Sequence, residues 1–107
     1  KYKHYSPKAD VFIVNAHGRA FSDYALKRAE TERKLIALGA GVSENGVFLD
    51  YGSTPELQAQ RLFALLRHSD EIGAKTVLVE IPDTSGVGLA VYNRLLRAAS
   101  FRIIEVE

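Results

Sequence analysis

The sequence predicts an α/β domain, a three-layer sandwich around a four-stranded, mainly parallel sheet with the element order βαβαβαβ. Short apolar runs rich in branched and aromatic residues alternate with amphipathic segments along the chain. This alternation is typical of parallel strands joined by right-handed helical crossovers. The 107 residues are enough for one domain, so we expect an N-terminal tail over 1–9 and a single domain over 10–107.

The first strand and helix are predicted from a change in hydrophobic period. Residues 10–15 form a compact apolar run that ends in the Ala-His-Gly turn of 16–18, as expected of a buried strand. From Ser22 onward, apolar residues recur every three or four positions among charged ones. We therefore expect an amphipathic helix of about 16 residues, which Gly39 or Gly41 can end.

The second strand and helix are predicted from a helix-start signature. Residues 46–50 form a short apolar strand, and Ser53-Thr54-Pro55-Glu56 follows it closely. A hydroxyl residue before proline, with a glutamate three positions after the serine, favours the start of a helix. We expect this helix to run to Gly73.

The centre of the sheet is assigned to the third strand, 75–81. It is almost entirely branched and apolar, as expected of a strand covered on both faces. A turn over 82–86 leads into a third helix, and 101–106 form the fourth strand.

Composition excludes several classes of function. The formal charge is +1, from 14 Lys and Arg against 13 Asp and Glu, so we expect neither a nucleic-acid partner nor a membrane surface. The absence of cysteine excludes disulfides and Cys-based zinc sites, and the three histidines do not predict another metal site. We expect a cytoplasmic protein without a cofactor. Because the chain has no methionine, not even at position 1, we also expect it to be part of a longer protein.

The candidate site lies in three loops, 15–22, 50–54 and 82–88. Ligands of parallel α/β sheets bind beyond the carboxyl ends of the strands, which is where these loops are predicted to lie. The loops are rich in polar and small residues: Asn15, His17, Gly18, Arg19, Ser22, Asp50, Ser53, Asp83, Thr84, Ser85, Gly86 and Gly88.

His17 is the candidate nucleophile in these loops. A carboxylate from a neighbouring strand end can bind one ring nitrogen and leave the other free to act as nucleophile or base. The start of the third helix offers free backbone N–H groups that attract anions. Two ordinary explanations stay open, since Asp83 can cap the third helix and Asp50 can begin the turn before Gly52. We interpret His4 and His68 as solvated surface residues.

Four segments resemble the mannose-type enzyme IIA domains of the bacterial sugar phosphotransferase system, over about residues 10–106. They are 12–18, Ala29-Glu30, 49–57 and 77–86. The resemblance implies a cytoplasmic phosphoryl carrier for sugar transport, with HPr-like and IIB-like partners, and it allows a homodimer.

The resemblance also implies roles for individual residues. His17 accepts the phosphoryl group and Asp83 orients His17 within hydrogen-bonding reach. The residues implied to hold the phosphate are Gly18, Thr84, Ser85, Gly86 and Gly88.

Two alternatives stay open. At 87–89 this chain has Val-Gly-Leu where the resembled family has Gly, then Ser or Thr, then Pro. That difference favours a non-catalytic regulatory or assembly module with the same fold. A small chelatase-like protein also fits the His-Gly turn after the first strand, although 82–89 lack the second histidine of sirohydrochlorin-type chelatases.

Overall fold

The computed structural model describes residues 6–106, so residues 1–5 of the predicted tail and His4 lie outside the described residues. The described residues form five strands and three helices. In chain order they are β1 (Asp10–Asn15), α1 (Arg19–Ala29), β2 (Leu35–Gly39), β3 (Phe48–Asp50), α2 (Pro55–Glu71), β4 (Thr76–Glu80), α3 (Val87–Ala98) and β5 (Ile103–Glu105).

The strands form one parallel sheet in the order β3-β2-β4-β1-β5. Val79 of β4 pairs with Ile13 on one side and with Leu38 on the other, so β4 is the central strand, as predicted. The α/β class is confirmed. The prediction of four strands was wrong, because the sheet has five.

The missed strand is β2, which the sequence analysis had joined to the first helix. That helix ends at Ala29, and Lys34 then adopts a left-handed backbone with φ of 60°. All five residues of β2 are buried, so the strand lacks the polar alternation by which half-buried strands are recognised. Its leucines and alanine are also good helix formers. Pairing with β3 and β4 outweighs that preference.

The hydrophobic core has two parts, one on each face of the sheet. Leu62 and Leu66 of α2 and Val91 and Leu95 of α3 pack against one face. On the other face, Phe21 and other α1 residues pack beside Phe48. The sheet is thus covered by two helices on one side and one helix on the other.

The entry into β1 is attached to the end of α2. The backbone N–H groups of Lys8 and Ala9 each donate to the Asp70 carboxylate over 3.0 Å, and Ala9 is buried in the core. These bonds place the amino end of β1 beside the last turn of α2.

Within residues 6–106, no helix combines the length and the apolar character needed to cross a bilayer. The longest helix, α2, has 17 residues, and charged and polar residues interrupt it.

The burial of β2 leads to a prediction about stability. Leu38 is fully buried, whereas Leu26 on α1 is 49% exposed. We expect Leu38→Ala to lower the free energy of unfolding by about 2–5 kcal/mol, since it leaves a cavity in the core. Leu26→Ala is the matched control and should change it by less than about 0.5 kcal/mol. Urea unfolding followed by circular dichroism measures both, and equal losses would contradict the position of β2 in the sheet.

Candidate functional site

A cleft of about 360 Å³ opens at the carboxyl end of the sheet. All three loops predicted to form the site contribute to it: His17 follows β1, Ser53 precedes α2, and Asp83 follows β4. The residues that line it are His17, Ala40, Ser53, Pro55, Gln58, Ile81, Pro82 and Asp83. The structure therefore brings His17 and Asp83 to one cleft.

Below the cleft, the Glu80 carboxylate joins three strand ends. Glu80 is the last residue of the central strand, and it is only 4% exposed. Its Oε1 accepts the N–H of Ala40, after β2, and its Oε2 accepts the N–H of Gly18, after β1, both over 2.9 Å. A buried carboxylate needs such donors, because burial without them is costly. Glu80 therefore ties the first turn of α1 and the loop after β2 to β4.

The sequence analysis missed Glu80, although a signal for it was present. A single glutamate ends the otherwise apolar run Val77-Leu-Val-Glu80-Ile81, and acidic residues are rarely fully buried unless they have partners.

Tyr51 supports Glu80 from the side of β3. Its hydroxyl donates to the Glu80 backbone carbonyl over 2.5 Å, and its side chain is fully buried. Burial raises the pKa of the Tyr51 phenol well above its ordinary value, and the nearby Glu80 carboxylate raises it further. Tyr51 is therefore a neutral hydrogen-bond donor.

The expected hydrogen bond between His17 and Asp83 is not formed within residues 6–106. The carboxylate beside His17 is that of Glu80, with 3.8 Å between His17 Nδ1 and Glu80 Oε2. Asp83 instead turns toward its own loop, where Oδ1 accepts the N–H of Ser85 over 3.1 Å and its hydroxyl over 2.9 Å. Asp83 thus binds two donors of its own loop, whereas the His17 imidazole is 69% exposed.

The glycines of the predicted phosphate site have a structural explanation of their own. Gly18 and Gly86 precede α1 and α3 with φ near +58° and +59°, a backbone region in which other residues are strained. A Cβ on Gly88 would lie 2.1 Å from the carbonyl oxygen of Asp83. That Gly18, Gly86 and Gly88 bind phosphate together with Thr84 and Ser85 stays a prediction.

Asp50 and Gln58 hold the loop between β3 and α2. Asp50 Oδ1 accepts the N–H groups of Gly41 and Gly52, each over 2.8 Å, as its interpretation as a turn residue predicts. Gln58, which is 5% exposed, donates from Nε2 to the Gly52 carbonyl over 2.9 Å. Its Oε1 has no hydrogen-bond partner in the described part of the chain. The sequence analysis missed this glutamine because it lies within a helix.

Comparison with known proteins decides the family. The family model for the C-terminal domain of threonylcarbamoyl-AMP synthase matches residues 1–100. The chain belongs to this family.

Among residues 6–106, no group of three or more His, Asp or Glu side chains is placed to hold a metal ion.

Two curated relatives belong to the same family. The threonylcarbamoyl-AMP synthase of Pyrococcus abyssi is 36% identical over 110 residues, which cover 99% of this chain and 32% of the relative. The synthase of Bacillus subtilis is 32% identical over 111 residues, covering 97% of this chain and 32% of the relative. The chain thus spans about a third of the length of these relatives.

Two solved structures are similar in fold. The crystal structure of P. abyssi Sua5 complexed with L-threonine superposes with a TM-score of 0.81 and 36% identity, over all of this chain and 33% of that one. The C-terminal Sua5 domain from Pyrococcus horikoshii gives a TM-score of 0.69 and 27% identity, over 94% of this chain and all of that one.

These findings correct the functional expectations. The resemblance to enzyme IIA domains was wrong, and so were the phosphotransferase system, sugar transport and the HPr-like and IIB-like partners. The regulatory-module and chelatase alternatives are not supported either. The expectation of no nucleic-acid partner was wrong as well. It rested on net charge alone, which does not describe a local surface, whereas the relatives are synthases of a nucleotide derivative.

The role of Glu80 can be tested by a nearly isosteric change. In Glu80→Gln, one carboxylate oxygen becomes an NH₂ group that cannot accept from the N–H of Gly18 or Ala40. We expect the free energy of unfolding to fall by about 1–3 kcal/mol, the cost of leaving a buried donor unpaired. Glu71→Gln, at the exposed end of α2, is the control and should have almost no effect. Urea unfolding of both variants gives the comparison, and a neutral Glu80→Gln would refute this role.

The buried phenol of Tyr51 predicts a dependence of stability on alkaline pH. The pKa of Tyr51 is raised in the folded state, so its contribution is complete below the unfolded-state pKa near 10.0 and is lost as the pH rises toward the folded-state value. Between about pH 8 and about pH 10.5, the wild type should therefore lose more unfolding free energy than Tyr51→Phe, which cannot ionise. Urea unfolding at both pH values measures the two slopes. Parallel slopes would show that the phenol ionises equally in both states.

Proposed function

We propose that this chain contributes to the formation of threonylcarbamoyl-AMP, as the C-terminal domain of a threonylcarbamoyl-AMP synthase. The family match over residues 1–100 carries this proposal. The TM-score of 0.81 over the whole chain, at 36% identity to a P. abyssi structure that holds L-threonine, supports it.

The composition of the cleft supports a binding role for this domain in such a synthase. Its cleft lies at the carboxyl end of the sheet, where ligands of α/β proteins bind. The described residues that line the cleft include no lysine or arginine, the side chains that usually bind the phosphates of nucleotides. We infer that this domain binds and positions a ligand, and that the nucleotide reacts in the rest of the synthase.

A domain exchange tests the proposal. The C-terminal domain of the B. subtilis synthase is replaced by this chain, and threonylcarbamoyl-AMP formation is measured by liquid chromatography. We expect the chimera to be active, because this chain is 32% identical to the B. subtilis synthase over 97% of its own length. The B. subtilis synthase without its C-terminal domain should be slower than the chimera.

A chimera that carries Leu38→Ala is the matched control for folding of the exchanged domain. It should lose activity at temperatures at which the unchanged chimera is stable. If the truncated synthase is as active as the parent, or if a folded chimera is no faster than the truncated synthase, the proposal fails.

A further inference from the structure

The two helices that cover one face of the sheet carry cations without carboxylates. Between Glu56 and Asp70 of α2, and throughout α3, the chain has four arginines and no aspartate or glutamate. The rest of the chain has ten Lys and Arg against 13 Asp and Glu. The formal charge of +1 therefore conceals an uneven distribution, in which the layer formed by α2 and α3 is positive. The four residues are exposed, and they are Arg61, Arg67, Arg94 and Arg97.

Arg94 lies where the two helices meet. Its guanidinium sits over the Phe63 ring of α2, 4.5 Å from the ring centroid. Arg97 follows Arg94 by one turn of α3, and Arg67 follows Phe63 by one turn of α2. Residues three or four positions apart share one side of a helix, so these three arginines border the same junction. We call Arg67, Arg94 and Arg97 the arginine face.

Two cations of the arginine face have no acidic partner among residues 6–106. Arg94 and Arg97 form no ion pair there, whereas Arg61, on the other flank of α2, lies 3.8 Å from the Asp50 carboxylate. The dipole of α3 favours a cation in its last turn, where Arg97 lies. That effect does not extend to Arg94. An external anion would balance both charges.

The residue types on this surface favour phosphate as that anion. The six lysines of the chain all lie outside α2 and α3, and the planar guanidinium of arginine is the group that matches phosphate oxygens two at a time. Single-stranded nucleic acids bind through exposed aromatic rings on which bases stack. The aromatic residues of these helices, Phe63 and Tyr92, are only half-exposed, and Arg94 covers Phe63. Contacts to the backbone of a duplex are therefore favoured over contacts to bases.

We propose that the arginine face binds the phosphate backbone of a nucleic-acid duplex. Arg94 and Arg97 contact phosphates from α3, and Arg67 does so from α2. None of these residues lines the cleft at the carboxyl end of the sheet, so this is a second binding surface. The proposal rests on the charge of α2 and α3, and its test does not involve threonylcarbamoyl-AMP formation. It therefore stands or falls independently of the proposed synthase role.

Fluorescence anisotropy with a labelled RNA duplex of about 16 base pairs, the span of a double-stranded RNA-binding domain, tests the proposal. We expect saturable binding that weakens with added salt, because bound arginines displace counterions from phosphates. Three phosphate contacts predict a loss of affinity of roughly 40-fold between about 50 and about 200 mM salt. A duplex of unrelated sequence should bind equally well, since phosphates carry no sequence information. Absence of binding at the lower salt concentration would overturn the proposal.

Two double variants with the same change of net charge locate the interaction. Arg94→Gln with Arg97→Gln should weaken binding roughly tenfold or more at about 50 mM salt and lower the salt slope by about 2. Lys27→Gln with Arg33→Gln, at exposed positions in α1 and after it, is the matched control and should bind nearly like the wild type. Equal losses in the two double variants would show that only net charge matters, and the proposal would fail.

A third variant adds a carboxylate without removing an arginine, so the test does not depend on how Arg94→Gln folds. Ala64 is exposed on α2, three positions before Arg67. We expect Ala64→Glu to weaken binding severalfold, whereas Ala20→Glu, at an exposed position of α1, should change it little. Unchanged affinity in a folded Ala64→Glu variant would contradict the proposed surface.

Other polyanions identify what the surface recognises. If labelled polyglutamate of the same charge binds as tightly as the duplex, the surface suits an acidic protein and the proposal is overturned. A DNA duplex of equal length distinguishes the two kinds of nucleic acid. Tighter binding of RNA identifies an A-form partner, and tighter binding of DNA a B-form one. Either result supports the proposal when it depends on Arg94 and Arg97.

Discussion

The carboxyl end of this domain depends on one buried carboxylate. Glu80 ends the central strand and accepts backbone N–H groups from the turns after β1 and β2, while Tyr51 donates to its carbonyl from the β3 side. Since each of these bonds crosses between strands, the positions of three loops are coupled at a single residue. Charge-assisted hydrogen bonds of this kind are stronger and more directional than contacts between neutral groups. The turns that border the cleft are therefore held to the central strand through Glu80.

That arrangement explains why no imidazole and carboxylate among the described residues of the cleft are joined by a hydrogen bond. Both carboxylate oxygens of Glu80 accept backbone N–H groups. The Asp83 carboxylate accepts from Ser85 in its own loop. His17 is exposed above Glu80 at 3.8 Å rather than hydrogen-bonded to a carboxylate. Within residues 6–106, the Oε1 atom of Gln58 is buried and has no hydrogen-bond partner. The carboxylates of Glu80 and Asp83 are therefore both engaged within the domain itself.

The mistaken resemblance to enzyme IIA domains shows that turns and helix starts alone say little about chemistry. A His-Gly turn after the first strand and a Pro-Glu helix start both arise because parallel α/β chains need tight turns and capped helices. Gly86 and Gly88 resembled a phosphate turn, yet a left-handed backbone and a close approach to the Asp83 carbonyl already require them. Unrelated families on similar folds share such features. Only similarity over nearly the whole chain distinguished them.

By itself, the sequence determined the α/β class, the central position of β4 and the start of α2, because hydrophobic period and capping residues act over a few neighbours. It also pointed to the loops that line the cleft. Tertiary structure alone decided that 35–39 form a strand, since Leu-Ile-Ala-Leu-Gly suits a buried strand and a helix equally until β3 and β4 pair with it. It likewise decided that Glu80 rather than Asp83 lies beside His17. Both outcomes depend on contacts between residues 11 to 63 positions apart, which no pattern of immediate neighbours encodes.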